Sequence, residues 1–241
     1  MKLLISPHRT LVSLAITSVP DEKIDNVLKR FSHTDIDLVH ADFSDGSIAP
    51  GFLAEPFLAI SRLAKISPHL PYDVHLFIKG ISKQKDTLSK CLGENPLLRA
   101  VLLHCIKYED FSLGQFDRVA SIVEGLGGGI GIAIQSMGFS TVNLELTLQM
   151  IDSYPLAEIS LNTRPGIYSL EDVAKYDLPL LNILTYWANK KRMPLFVSVD
   201  REMTLSKLSV LSPGSPSHVV VGAALLASKM PQNTILALKK Y

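Results

Sequence analysis

The chain has too few cysteines for a disulfide framework, Cys91 and Cys105 being the pair it carries in 241 residues. A bridge-held secreted scaffold is thereby excluded, and a reducing compartment, the cytoplasm, is the expected location. Charge of one sign is also lacking: 24 Lys and Arg stand against 23 Asp and Glu. With no basic block and no interleaving of basic and aromatic residues, no nucleic-acid partner is expected. No apolar stretch approaches the roughly 20 residues of a membrane span. The Leu3-Leu4-Ile5 run meets Pro7, His8 and Arg9 too early to form a signal-peptide core. No membrane partner is therefore expected. What the chain does have is apolar content, 47% of its residues, which is enough for a sizeable core in one domain.

That apolar content is divided into short runs separated by longer amphipathic stretches. Strands are expected at Leu11–Ile16, Ile36–Asp42, Tyr72–Ile78, Arg99–Cys105, Gly129–Ile134, Ala157–Asn162, Pro194–Asp200 and Ser217–Ala223. Between them lie helical patterns. Ile24, Val27, Leu28 and Phe31 recur at three-to-four spacing within Asp21–Phe31, and Leu144, Leu148 and Ile151 do so within Val142–Ile151. Proline or glycine marks most junctions, among them Pro20, Pro71, Pro96, Pro155, Pro194 and Pro213. Strand–helix repetition of this count and length is the arithmetic of an α/β fold closed as a (β/α)8 TIM barrel, a single domain over residues 1–241. A doubly wound open sheet is the alternative architecture.

A barrel gives the scattered polar residues a common address, because catalytic groups in this fold come from the C-terminal ends of the strands. His40 and Asp42 close the second strand in the run VHADFSDG, His75 lies late in the third, His104 closes the fourth and Asp200 the seventh. Residues two apart on a strand face the same side, so His40 and Asp42 point together. With that side turned inward, two imidazoles and two carboxylates converge. His40, Asp42, His75 and Asp200 then form a candidate set for one divalent ion, zinc, ferrous iron, cobalt or manganese, since neutral imidazole nitrogen and carboxylate oxygen suit these metals. A single strand-end histidine is more often a hydrogen-bonded structural residue than a ligand. The argument rests on the joint placement.

These residues also carry a resemblance. Asp42-Phe43-Ser44-Asp45-Gly46-Ser47-Ile48-Ala49-Pro50 is similar to the D-x-M-D-G-x-F-V-P motif of the ribulose-phosphate 3-epimerase family, and Asp73-Val74-His75-Leu76-Phe77-Ile78 resembles its D-V-H-L-M-I strand. Fainter similarity continues through Gly131–Ile134, Arg164-Pro165-Gly166, Val199-Asp200 and Val221–Ala224. The resemblance implies a phosphate-binding barrel with one divalent metal ion and no organic cofactor. It implies inversion at C3 of a ketose phosphate, ribulose 5-phosphate to xylulose 5-phosphate, through a metal-stabilised enediolate. His40, Asp42, His75 and Asp200 match the family's metal ligands, and Asp42 and Asp200 its two acid/base carboxylates. Ser13 matches a substrate-contacting serine, while His75, Gly166, Gly222 and Ala223 match positions that meet the sugar phosphate. The partner implied is a small phosphorylated sugar, with the chain assembled as a homo-oligomer.

Two phosphate loops depart from the family pattern. G-x-G-G after the sixth strand reads Gly166-Ile167-Tyr168-Ser169, and D-G-G after the seventh reads Asp200-Arg201-Glu202. Arg201 either replaces lost backbone donors with a charge-assisted contact or is an ordinary loop residue. Glu202 repels a phosphate unless it points away. Ser44, Phe77 and Leu161 stand where methionines line the family's pocket. Gly127-Gly128-Gly129 precedes the fifth strand and reads as a turn, and Asp45 is expected to brace the loop around Gly46. The segment Tyr176–Met193 is longer than a barrel helix needs, which suggests an insertion or an oligomer contact. Alternatives to a pentulose epimerase are an epimerase of a hexulose phosphate of the allulose 6-phosphate type, aldol cleavage or decarboxylation on the same barrel, and a non-catalytic sugar-phosphate-binding barrel.

Overall fold

The computed structural model describes residues 9–17, 19–44, 62–77, 97–105, 113–137, 141–191 and 195–241. Asp45 and the rest of its motif through Pro50, together with Ile78 and Pro194, lie outside the described residues. Eight strands form a closed barrel in sequence order: β1 Leu11–Ala15, β2 Leu38–Ser44, β3 Tyr72–Phe77, β4 Leu98–Cys105, β5 Gly129–Gln135, β6 Glu158–Asn162, β7 Phe196–Asp200 and β8 His218–Val221. Every neighbouring pair is parallel, and β8 closes on β1. The chain is thus a (β/α)8 TIM barrel, and the open sheet is excluded.

Among the described residues, helices follow strands as the apolar spacing requires. Asp21–Phe31 buries Ile24, Leu28 and Phe31, begins after Pro20, and carries Asp21 and Glu22 in its first turn and Lys29 and Arg30 in its last, which complements the helix dipole. Thr141–Ser153 covers the expected Val142–Ile151 and buries Met150 and Ile151. The long segment after β6 contains a π-helical turn, Val173–Asp177, which runs into the helix Leu178–Asn189.

Strand alternation divides the buried residues into two zones. Val12 and Leu14, Val39 and Ala41, Val74 and Leu76, Ile159 and Leu161, Val197 and Val199, and Val219 and Val221 belong to the apolar core shared with the helices. The intervening residues on the same strands are Ser13, His40, Asp73, His75, Glu158, Ser160, Ser198 and His218, all fully buried. Ser13, Asp73, Glu158 and His218 are joined across the barrel, directly or through Arg99, so this face lines its interior. Leu161 therefore faces the helical layer and not the mouth, which corrects its expected place in a substrate pocket.

Toward the N-terminal end, the interior is held by ions. The β3–β4 register shifts between Tyr72, paired with Leu98, and Asp73, paired with Ala100, so Arg99 is the extra residue of a bulge. Its Nη2 donates to Asp73 Oδ2 at 2.6 Å and to Glu158. Glu158 Oε1 lies 3.1 Å from His218 Nδ1, and His218 Nε2 lies 2.5 Å from Ser13 Oγ. Asp73, Glu158 and His218 have the composition of a metal-binding group, but the Arg99 guanidinium already supplies the positive charge. Beside this network β5 has no room for a side chain at Gly131, where a Cβ would lie 2.6 Å from the Glu158 carbonyl oxygen.

Candidate metal centre at the barrel mouth

His40 and Asp42 on β2 and His75 on β3 are assembled by strand pairing. Asp42 and His75 are Cα partners, and alternation places His40 one step below Asp42 on the same face. Asp200, the last residue of β7, reaches the same point from beyond β8 and β1. One donor atom from each of His40, Asp42, His75 and Asp200 lies within 4.8 Å of all the others. His40 Nε2 is 3.3 Å from Asp42 Oδ1 and 4.0 Å from Asp200 Oδ2, while His75 Nδ1 is 3.2 Å from Asp42 Oδ1. Bonds of about 2.1 Å to a common ion put neighbouring ligand atoms roughly 3.0–3.4 Å apart. The spacing fits.

Satisfaction of these atoms makes the same point. Both ring nitrogens of His40, Nδ1 of His75 and Oδ1 of Asp42 are buried without a hydrogen-bond partner. Such orphans cost about 1–3 kcal/mol each, so the cluster is a candidate seat for a cation.

The opposite atoms are engaged. His75 Nε2 lies 2.9 Å from His104 Nδ1. Burial and the neighbouring His75 push His104 down to about 3, so it is neutral near pH 7 and accepts through a lone pair. The proton assigned to His75 Nε2 from this network fixes the ring and turns Nδ1 toward the Asp42 carboxylate. Phe77 stacks on both imidazoles, at 4.0 Å from His75 and 4.3 Å from His104 between ring centroids.

Asp42 and Asp200 are positioned by hydroxyls and amides that sequence reading missed. Thr17, two residues past the end of β1, donates to Asp42 Oδ2 at 2.5 Å and accepts from the Asp42 N–H at 3.1 Å. Thr163, just past β6, donates to the Asp200 carbonyl at 2.9 Å. Asp200 Oδ1 accepts the Arg201 N–H at 2.5 Å, leaving Oδ2 toward His40. Neither threonine belongs to a recognisable motif. Their only signal is a hydroxyl residue just beyond a strand.

The charges are strongly coupled. Burial opposes protonation of His40, but Asp42 and Asp200 outweigh it and push the imidazole up to about 9. Asp42 is also buried, yet His40 and His75 hold it well below the usual carboxylate range. Asp200 moves the other way, raised by burial and by the Asp42 charge. Two carboxylates with opposed tendencies are what acid/base chemistry on one carbon uses.

The expected substrate contacts are dispersed. Ser13 is fully buried against His218 in the interior network and does not join the cluster. Gly222 and Ala223 lie where β8 turns into the short helix Ala223–Leu226, beside Ala15 of β1. Gly166 lies in the loop after β6, and its N–H donates to the Glu202 carboxylate. Lys207 is buried, with its Nζ donating to the carbonyls of Arg164 at 2.5 Å and Arg201 at 2.8 Å. Burial pushes it down to about 8. Engaged this way and lying beyond the strand end, it is a brace for two loops and not a Schiff-base lysine.

Fold and site together define a (β/α)8 barrel with a candidate divalent-metal centre at its C-terminal mouth. No protein-family model and no curated protein sequence matches the chain. Among solved structures, it is similar to 3-hexulose-6-phosphate synthase from Salmonella typhimurium, with a TM-score of 0.60 and 11% identity over 96% of this chain and 97% of that one. Orotidine 5'-phosphate decarboxylase from Pyrococcus horikoshii OT3 gives 0.62 and 16% identity over 95% and 98%. The alpha subunit of tryptophan synthase from Campylobacter jejuni gives 0.59 and 11% over 98% and 96%. At such identities the likeness establishes the fold, and chemistry has to be argued from the site. Among the described residues, no helix is long and apolar enough to cross a membrane.

Proposed function

We propose that the chain is a metal-dependent epimerase that inverts C3 of a ketose phosphate, most simply ribulose 5-phosphate to xylulose 5-phosphate. The observation that carries this reading is the convergence of His40, Asp42, His75 and Asp200 on one point, with the facing donor atoms of His40, Asp42 and His75 buried without a hydrogen-bond partner. Zinc, ferrous iron, manganese or cobalt suits that donor set. When bound, such an ion supplies the positive charge that stabilises an enediolate.

The rest follows from the chain's own residues. Epimerisation next to a carbonyl requires a base on one face of the carbon and an acid on the other. Asp42 and Asp200 come from strands separated by β8 and β1, so each approaches the mouth from its own side. One takes the C3 proton and the other returns a proton to the opposite face. In the reverse reaction the roles exchange. Thr17 and the Arg201 amide fix one oxygen of each carboxylate and aim the other inward. His104 and Phe77 immobilise His75.

Proton NMR of ribulose 5-phosphate in deuterated water tests the proposal, with protein loaded in turn with zinc, ferrous iron and manganese. Xylulose 5-phosphate carrying deuterium at C3, formed by the wild type and lost in Asp42→Asn and in Asp200→Asn, is the expected result. Absence of exchange on this sugar and on hexulose phosphates with every metal would refute it and leave a barrel that binds without turnover.

A further inference from the structure

The loops after β6 and β7 are latched to each other. Gly166 in the first donates its N–H to the carboxylate of Glu202 in the second. Lys207 ties the same loops through the carbonyls of Arg164 and Arg201. Arg201 and Glu202 both have left-handed backbones, φ 79° and 52°, a conformation that glycine adopts freely and side-chain-bearing residues resist. The β7 loop thus follows a path suited to glycine while carrying two charged side chains. That path swings Glu202 across to the neighbouring loop. Contact is close, since a Cβ on Gly166 would lie 2.8 Å from Glu202 Oε2.

The N–H of an exposed glycine at the C-terminal mouth of a barrel is a ready donor for an anion such as phosphate. Here it already has one. We propose that Glu202 is a specificity-determining residue, an internal anion that stands in for a phosphate oxygen at the Gly166 N–H, so that a phosphorylated substrate must displace it. This inference rests on the reading of the site as one for a ketose phosphate. An incoming phosphate finds the donor taken and a like charge beside it. Glu202 must swing outward before the amide is free, and its exposure to solvent permits this. The carboxylate therefore weakens phosphate binding and narrows the preference for phosphorylated over free ketoses.

The test uses full-length, metal-loaded protein and inorganic phosphate as the probe, with affinity measured by calorimetry for wild type, Glu202→Gln and Glu202→Gly. Removing one competing charge from a charge-assisted hydrogen bond is expected to lower the phosphate Kd about tenfold in Glu202→Gln. Glu202→Gly, which also relieves the left-handed backbone, is expected to do at least as much, with metal content equal in all three proteins. The KM for ribulose 5-phosphate should fall in parallel, while that for unphosphorylated ribulose stays constant. A phosphate Kd unchanged or raised in both variants, or no phosphate binding by any of the three, overturns the inference. Phosphate binding is read without turnover, so failure of epimerisation alone sinks the proposed function and leaves this inference standing. An active enzyme with an indifferent Kd does the reverse.

Discussion

The Thr17 hydroxyl lies 2.5 Å from Asp42 Oδ2, and this contact decides which oxygen of the carboxylate faces the two histidines. With Oδ2 engaged and the backbone N–H of Asp42 bonded back to the same hydroxyl, Oδ1 has a single orientation, toward His40 Nε2 and His75 Nδ1.

Thr17→Val keeps the shape and removes that restraint. Because outer hydrogen bonds of this kind contribute about 10–100-fold to metal affinity, zinc binding is expected to weaken by that factor. Competition with a chromogenic chelator measures it. An unchanged affinity would show that Asp42 is oriented by the strand alone.

His104 supports His75 in the same way through a neutral acceptor. Replacement by Phe leaves the His75 Nε2–H without its acceptor and should also weaken zinc binding about 10–100-fold. Replacement by Gln retains an acceptor and should recover most of the loss. Equal losses in the two variants would assign the effect to packing against Phe77.

Metal removal has its own signature. An ion bound only by the native state stabilises it by about 2.7 kcal/mol at a hundredfold excess over Kd. Thermal unfolding should therefore shift upward on adding zinc to chelator-treated wild type and stay fixed in Asp42→Asn. A shift of equal size in both proteins would place the ion elsewhere.

Stability at the other end of the barrel depends on Arg99, which bridges Asp73 and Glu158. Arg99→Met removes the cation shared by Asp73 and Glu158 and leaves Glu158 with His218 alone, with an expected loss of about 3–5 kcal/mol in urea unfolding. Burial opposes ionisation of Glu158, but Arg99 and His218 outweigh it and hold the group well below its ordinary 4.5. A carboxylate depressed in the folded state contributes stability that is complete above the unfolded value and is lost as pH falls below it. Wild-type stability should therefore decline below pH 4.5. Glu158→Gln should be less stable at neutrality and decline less steeply in acid; a parallel decline would remove Glu158 from the account.

Much of this was legible in one dimension. The eight strands fall within two residues of the expected limits because each is a short apolar run bounded by turn residues, and helix Asp21–Phe31 has the expected bounds because its apolar spacing and proline start are local signals. His40 and Asp42 share a face by the period of the strand alone. Sequence also marked Arg201 and Glu202 as altered, yet it could not say that their backbone keeps the glycine-like path or that Glu202 ends on Gly166.

Those outcomes depend on barrel closure. Register between β2 and β3 places Asp42 opposite His75, and the turn of the sheet through β8 and β1 brings Asp200 to them. The same closure withdraws Ser13 to a buried contact with His218, while pairing of β1 with β2 presses Thr17 onto Asp42. Periodicity is a property of neighbours along the chain, so the sequence by itself determined the strands, their faces and the types of ligand. Contacts between residues 25 to 205 positions apart, from Thr17 and Asp42 to Ser13 and His218, form only when strands pair and the sheet closes, so tertiary structure alone decided which donors meet and which are already taken.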